Sequence, residues 1–406
     1  MTSNELQSPR KTRYDGYRSY SALAAGKDYR AFRLAVELGR VDSRGPELDS
    51  AQRERVQRLL ADNIVISLHD HTSVFPEDMG DTLDYNRLGR HHTGYEGLSR
   101  SGMTAVFENF MDGTCCITSQ AGWKWDDVLI DIGMRYSDIA KQDFVVRAER
   151  VADIHAAHYD GRLAFVSGLE AATPIQNEVD RIDVLYGLGV RQMGIAYSEA
   201  NNLGSGLRER HDGGLTYFGD RAVERMNKLG IAIDVSHSGD RTSLDVIERS
   251  SKPIFITHAG ARTVWPTARM KPDEVIKACA ERGGVIGIEA APHTTMSPEQ
   301  PRHNLDAFMH HFRYCVDLVG IDHVAFGPDT LFGDHVGLHD LFAQHLSIGA
   351  AHEGKEFEKV DFVDGIENPA EEFHHITGWL VAHDYSDDEI AKVLGGNVLR
   401  VLDEVW

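Results

Sequence analysis

Residues 64–75 read IVISLHDHTSVF, and this stretch decides the fold. Ile64–Leu68 is an apolar, β-branched run of strand length. It ends abruptly in His69-Asp70-His71, three side chains that can bind protons or metals. A near-continuous apolar strand is one buried on both faces, as in a parallel sheet.

Similar short runs recur at Thr104–Phe110, Leu163–Gly168, Arg191–Ala196, Ala232–Val235, Pro253–Thr257, Val285–Glu289 and Val324–Gly327. Amphipathic segments separate them, such as Asp220–Leu229 (DRAVERMNKL) and Asp273–Arg282 (DEVIKACAER), the second following Pro272 as a helix start. Eight strand–helix units predict an α/β fold of the (β/α)8 TIM-barrel type over about Asn63–Gly333. An open doubly wound sheet is the alternative. It carries a glycine-rich phosphate loop after its first strand, where this chain has His-Asp-His. The barrel is favoured.

Around residues 51–333, the barrel region, the expected parts are an N-terminal extension over 1–50 and a C-terminal helical cap over 334–406. The extension is expected to hold a helical stretch around Asp28–Gly39, with a helix at Ala51–Ala61 leading into the first strand. The cap is expected to hold helices over Leu338–Ala351 and Asp387–Val393.

With 63 acidic against 42 basic residues in 406, the net charge is −21. That excess argues against nucleic acid or an anionic membrane as partner, since both need basic patches. Of four cysteines, Cys115 and Cys116 are adjacent while Cys279 and Cys315 fall in apparent helices; no metal-type spacing or disulfide framework is formed. The stretch MTSNELQSPRKTRYDGYRSY lacks the apolar core of a signal peptide, and no apolar run approaches a membrane span. A cytoplasmic location is the default expectation.

Polar residues gather where the strands finish: Glu170 after the third, Tyr197 after the fourth, His237, His258 and Asp329 after the fifth, sixth and eighth. In a barrel these ends share one rim, where active sites of the fold are built. Alternation along the first strand puts His69 and His71 on one side and Asp70 on the other. Singly, His237 reads as a hydrogen-bonded structural histidine, Asp329 as a helix cap and Glu170 as a partner for arginine. Jointly, four histidines and two carboxylates on one rim are what metal-assisted hydrolysis requires. His91-His92, His155, His158, His310-His311 and His374-His375 read as loop or helix residues outside the site. The loop Pro76–Ser101 and the segment Asp112–Asp127, with Trp123 and Trp125, are expected to shape the pocket.

Taken in order, VISLHDHTSVF, FVSGLEAA, GIAIDVSHSG, PIFITHAGARTVWPTARMKPDEVI, VAFGPDTLFG and GGNVLRVL resemble the membrane dipeptidase (renal dipeptidase) family of the amidohydrolase superfamily. The resemblance covers most of Ala51–Trp406. It implies two divalent metal ions, zinc by default, with His69 and His71 on one, His237 and His258 on the other, and Glu170 bridging. It further implies Asp329 as the group that takes and returns a proton, Arg269 as a grip on the substrate carboxylate, and a homo-oligomer acting on a dipeptide-like small molecule. Two positions depart from the family pattern. His71 stands where the family has aspartate, removing one negative charge, and Tyr197 stands where it has a carbonyl-binding histidine. A phenol still donates to an oxyanion. Two other readings share these residues: a mononuclear decarboxylase or deaminase of the same superfamily, and a non-catalytic barrel serving as a binding module. Two ions per chain and an occupied general-base position would separate the amide hydrolase from both.

Overall fold

The structure, a computed structural model, describes residues 2, 5–110, 124–345 and 357–406. Cys115, Cys116, Trp123 and the end of the helix expected over Leu338–Ala351 lie outside the described residues.

All eight expected strands form: β1 (Ile66–Ser67), β2 (Ala105–Asn109), β3 (Leu163–Leu169), β4 (Val190–Gly194), β5 (Ala232–Asp234), β6 (Phe255–Ala259), β7 (Val285–Ile288) and β8 (Val324–Phe326). They pair in parallel in that order. The two edges meet where Leu68 N–H donates to the Phe326 carbonyl at 2.9 Å and Asp329 N–H to the His69 carbonyl at 2.9 Å. The sheet is thus a near-closed barrel. A short strand that the pattern did not announce, Val145–Arg147, pairs in parallel with the first half of β3, ahead of the residues that pair with β4.

Connecting helices start and stop where local chemistry dictates. Tyr217–Leu229 is capped by the Thr216 hydroxyl, which accepts from Gly219 N–H, and ends at Gly230 with φ 79°. It buries Ala222, Val223 and Met226 against the barrel. Asn304 caps Leu305–Val319 in the same way, and Pro272 precedes Asp273–Glu281.

Two apolar layers result. An outer one lies between strands and helices; an inner one fills the barrel with Ile66, Leu68, Phe107, Val166 and Phe255. The helix Asn397–Val405 belongs to the inner layer through Val398, Val401, Leu402 and Val405, and Trp406 stacks on Phe107 with centroids 6.4 Å apart. The end of the barrel away from the histidines is therefore plugged with carbon.

The helix expected around Asp28–Gly39 does not form. Its backbone is used otherwise: Ala35 N–H donates to Phe75 O, and Glu77 N–H to Arg33 O, at 2.9 Å each. A chain that spends its amides on a neighbouring segment cannot close helical turns with them. The helix leading into β1 does form, as Ser50–Asp62, with a capping box between Asp49 and Gln52. The rest of the extension is tied down by buried carboxylates. Asp138 accepts from Tyr17 Oη (2.7 Å), Ser19 Oγ (2.5 Å), Tyr20 N–H (2.7 Å) and Tyr95 Oη (2.9 Å). Farther on, Arg40 pairs with Glu367 and the Ser43 hydroxyl donates to Glu371. Among the described residues no helix is long and apolar enough to cross a membrane.

Candidate metal centre

The site begins with an irregularity in the first strand. In a regular strand, residues two apart address the same neighbour. Here Leu68 N–H bonds to Phe326 O on β8, whereas Asp70 N–H bonds to Phe107 O on β2. The chain turns over between them, so Leu68 packs in the barrel interior while His69 reaches the rim. Asp70 faces away, as alternation predicts, and receives the Ser67 hydroxyl and Thr330 N–H, the latter at 2.7 Å.

Every sequence-predicted site residue reaches the same end of the barrel. His69 Nε2 lies 3.0 Å and His71 Nε2 3.3 Å from Asp329 Oδ1. His237 Nε2 lies 3.0 Å and His258 Nε2 3.5 Å from Glu170 Oε1. The two Nε2 atoms of His237 and His258 are 2.9 Å apart, and the His69 and His258 rings stack at 3.7 Å. Two donor groups emerge, His69–His258–Asp329 and Glu170–His237–His258, each with its ligand atoms within 4.8 Å of one another. His258 belongs to both, and His71 meets them through Asp329.

This donor set fits metal ions. Burial, and then the Arg269 charge, hold His237 well below the ordinary imidazole pKa; burial, and then His69, do the same for His258. Both are therefore neutral and carry the lone pair a metal needs. Burial opposes ionisation of Asp329, but His69 and His71 outweigh it and hold the carboxyl well below its usual range. The neutral imidazoles of His237 and His258 and the ionised Asp329, converging with His69, His71 and Glu170, are a composition suited to divalent ions.

Supporting residues lock the ligands. Asn109, the last residue of β2, places Nδ2 3.0 Å from His69 Nδ1. Thr257 Oγ1 lies 2.8 Å from His258 Nδ1. Such partners orient the ring and fix its tautomer. Asp329 has φ 63°, a left-handed conformation that aspartate tolerates better than most residues. Its neighbour Thr330 sits between Asp70 (3.0 Å) and Glu372 (2.7 Å). At Gly194, which ends β4, a Cβ would collide with the Glu170 carbonyl, so only glycine admits the Glu170 backbone there.

The cavity over these ligands is lined also by Tyr197, Arg269, Leu331, His335, Leu338, His339 and Phe342. Tyr197 stacks on His237 with centroids 3.9 Å apart. Arg269 is buried, donates from Nη2 to His258 O at 3.0 Å and pairs with Glu289. His335, Leu338, His339 and Phe342 come from one face of the helix His335–His345. Sequence reasoning passed over this face, whose i, i+3, i+4, i+7 spacing was the available signal. It also passed over Glu289, although VIGIEA is a strand end like the others. Residues 76–101 fold as two short helices and a hairpin strand and supply none of the cavity lining; Trp125 lies under the Arg181 guanidinium at 4.7 Å. The open hollow at Arg147, Arg150 and Arg191 is larger, but its cations are paired with Glu149 and Asp153, and no site residue borders it.

Comparison with known proteins agrees with this geometry. The chain is 27% identical to the dipeptidase aclJ of Aspergillus oryzae over 267 residues, 65% of this chain and 57% of that protein, so it spans little more than half of that relative's length. It is 25% identical to the dipeptidase verJ of Clonostachys rogersoniana over 369 residues, 86% of each. Among solved structures, an amidohydrolase from Pseudomonas aeruginosa superposes with a TM-score of 0.71 at 26% identity, covering 86% of this chain and 99% of that one. The sequence model of the membrane dipeptidase family, peptidase family M19, matches residues 53–342. With its barrel, its paired donor groups and most of its length inside that match, the chain belongs to the membrane dipeptidase family.

Proposed function

We propose that the protein is a two-metal amidohydrolase that cleaves the amide bond of a dipeptide or a related N-acyl amino acid. The observation that carries this reading is the convergence of four imidazoles and two carboxylates within hydrogen-bonding reach of one another at one rim. His69, His71, Glu170, His237 and His258 would hold the ions. Bound divalent ions supply an acidified water and a polarised carbonyl. Asp329, ionised and held against His69 and His71, accepts the water proton and returns it to the departing amine. Tyr197 offers a phenol donor beside His237. Arg269 holds the far end of the substrate.

Amine release from a panel of dipeptides, N-acyl amino acids and their capped amides, with zinc-reconstituted protein, tests this. Turnover that disappears in Glu170→Gln supports the reading. No turnover of any member by a chain carrying about two ions would overturn it. The reading also carries zinc as the metal, a homo-oligomeric assembly and a cytoplasmic location. Elemental analysis, sedimentation velocity and cell fractionation test those three.

A further inference from the structure

Arg269 is expected to grip a carboxylate, yet it already has one. The Glu289 carboxylate, fully buried at the end of β7, pairs with Arg269 Nη2. Glu289 Oε1 also accepts from the hydroxyls of Thr294 (3.0 Å) and Thr295 (3.1 Å), so the counter-ion is held in place. Arg269 Nη1 is buried with no hydrogen-bond partner among the described residues, and the side chain borders the metal cavity. Arg269 therefore borders the cavity as half of a buried ion pair, with no net charge to offer a guest.

Electrostatics separates two kinds of guest beside that pair. A second carboxylate would place two buried anions on one guanidinium, and its own desolvation would be poorly offset. An uncharged carbonyl meets no such anion–anion repulsion and costs less to desolvate. Nearby Leu331, Leu338 and Phe342 give the wall no charge of their own.

We propose that Glu289 determines specificity: by neutralising Arg269 it makes the cavity select dipeptide-like substrates whose far end is an uncharged carbonyl, as in a carboxamide, an ester or a cyclic amide, over those ending in a free carboxylate. This rests on the reading of the site as an amide hydrolase and names its substrate class. Burial raises the Glu289 carboxyl to about 7, against Arg269 and the two threonine hydroxyls. At about pH 8.5 it is ionised and the pair is complete.

The test uses the metal-reconstituted full chain at that pH, with a dipeptide and its C-terminal amide as a matched pair, scored by release of the N-terminal amino acid. The parent is expected to favour the amide in kcat/KM by at least about tenfold. Glu289→Gln, which frees the Arg269 charge, is expected to swing the ratio toward the carboxylate by at least about tenfold, mainly through KM. A parent that favours the carboxylate, with a ratio unmoved by Glu289→Gln, overturns the proposal. Should Glu289→Gln not fold, the Arg269→Gln/Glu289→Gln double variant buries no net charge and is expected to keep the amide preference; a swing toward the carboxylate overturns the proposal instead. Calorimetric binding of the same pair to Asp329→Asn, with and without Glu289→Gln, reads the preference without turnover. A parent without turnover whose ligands still show the amide preference thus counts against amide hydrolysis alone, not against the charge rule.

Discussion

The two ends of the barrel are closed by opposite chemistries. At one end Val398, Val401, Leu402, Val405 and Trp406 fill the opening with carbon. At the other, the same strands finish in four imidazoles and two carboxylates with a cavity above them. Both ends are buried, but burial stabilises the first outright. The second is stable only when each charge and lone pair finds a partner. One end holds the fold and the other is held by it.

The sharpest break between the ends is expected from Glu170→Gln. It should lower kcat by at least about a thousandfold and reduce bound metal, while the melting temperature of the metal-free protein moves little. Activity assay, elemental analysis and calorimetry read the three quantities. Equal metal content in variant and parent would remove Glu170 from the ligand set. At the apolar end, Leu402→Ala should cost about 2–5 kcal/mol of stability in denaturant titration, with kcat per folded molecule unchanged. A fall in kcat without a fall in stability would show that the two ends are not separable in this way.

A milder effect comes from the face where the N-terminal extension packs. Burial raises the Glu371 carboxyl from an ordinary 4.5 to about 7. Its neutral form is thus favoured in the folded state, and the associated stability is full below about pH 4.5 and lost as pH rises through 7. Glu371→Gln removes that dependence, so between pH 5 and 8 the variant should lose less melting temperature than the parent. Parallel curves would refute it. The smallest effect is expected from Tyr197→Phe, about tenfold in kcat with KM nearly constant. An unchanged kcat would assign Tyr197 to packing against His237.

What could be read from sequence follows the same division. All eight strands were legible because each is an apolar run bounded by polar or turn residues, a one-dimensional signal. The rim residues were legible because each follows its strand directly. Glu289 was missed because its meaning lies in Arg269, twenty residues earlier and on another βα unit, and no spacing rule connects the two. The extension was misread as helical around Asp28–Gly39 because local pattern takes no account of Phe75 and Glu77, whose backbone the segment joins. The left-handed turn at Asp329 was likewise hidden, since aspartate after proline announces no particular φ.

Asp138 has a consequence for how the molecule comes apart. One carboxylate gathers donors from residues 17–20 and from Tyr95 while sitting on the helix Trp125–Ile139. Releasing residues 17–20 would take three of the four donors from this buried carboxylate, so fraying of that stretch is costly. The amide proton of Tyr20, far out in the sequence, should then exchange with solvent as slowly as those of the barrel strands, and extension and barrel should melt in a single cooperative step.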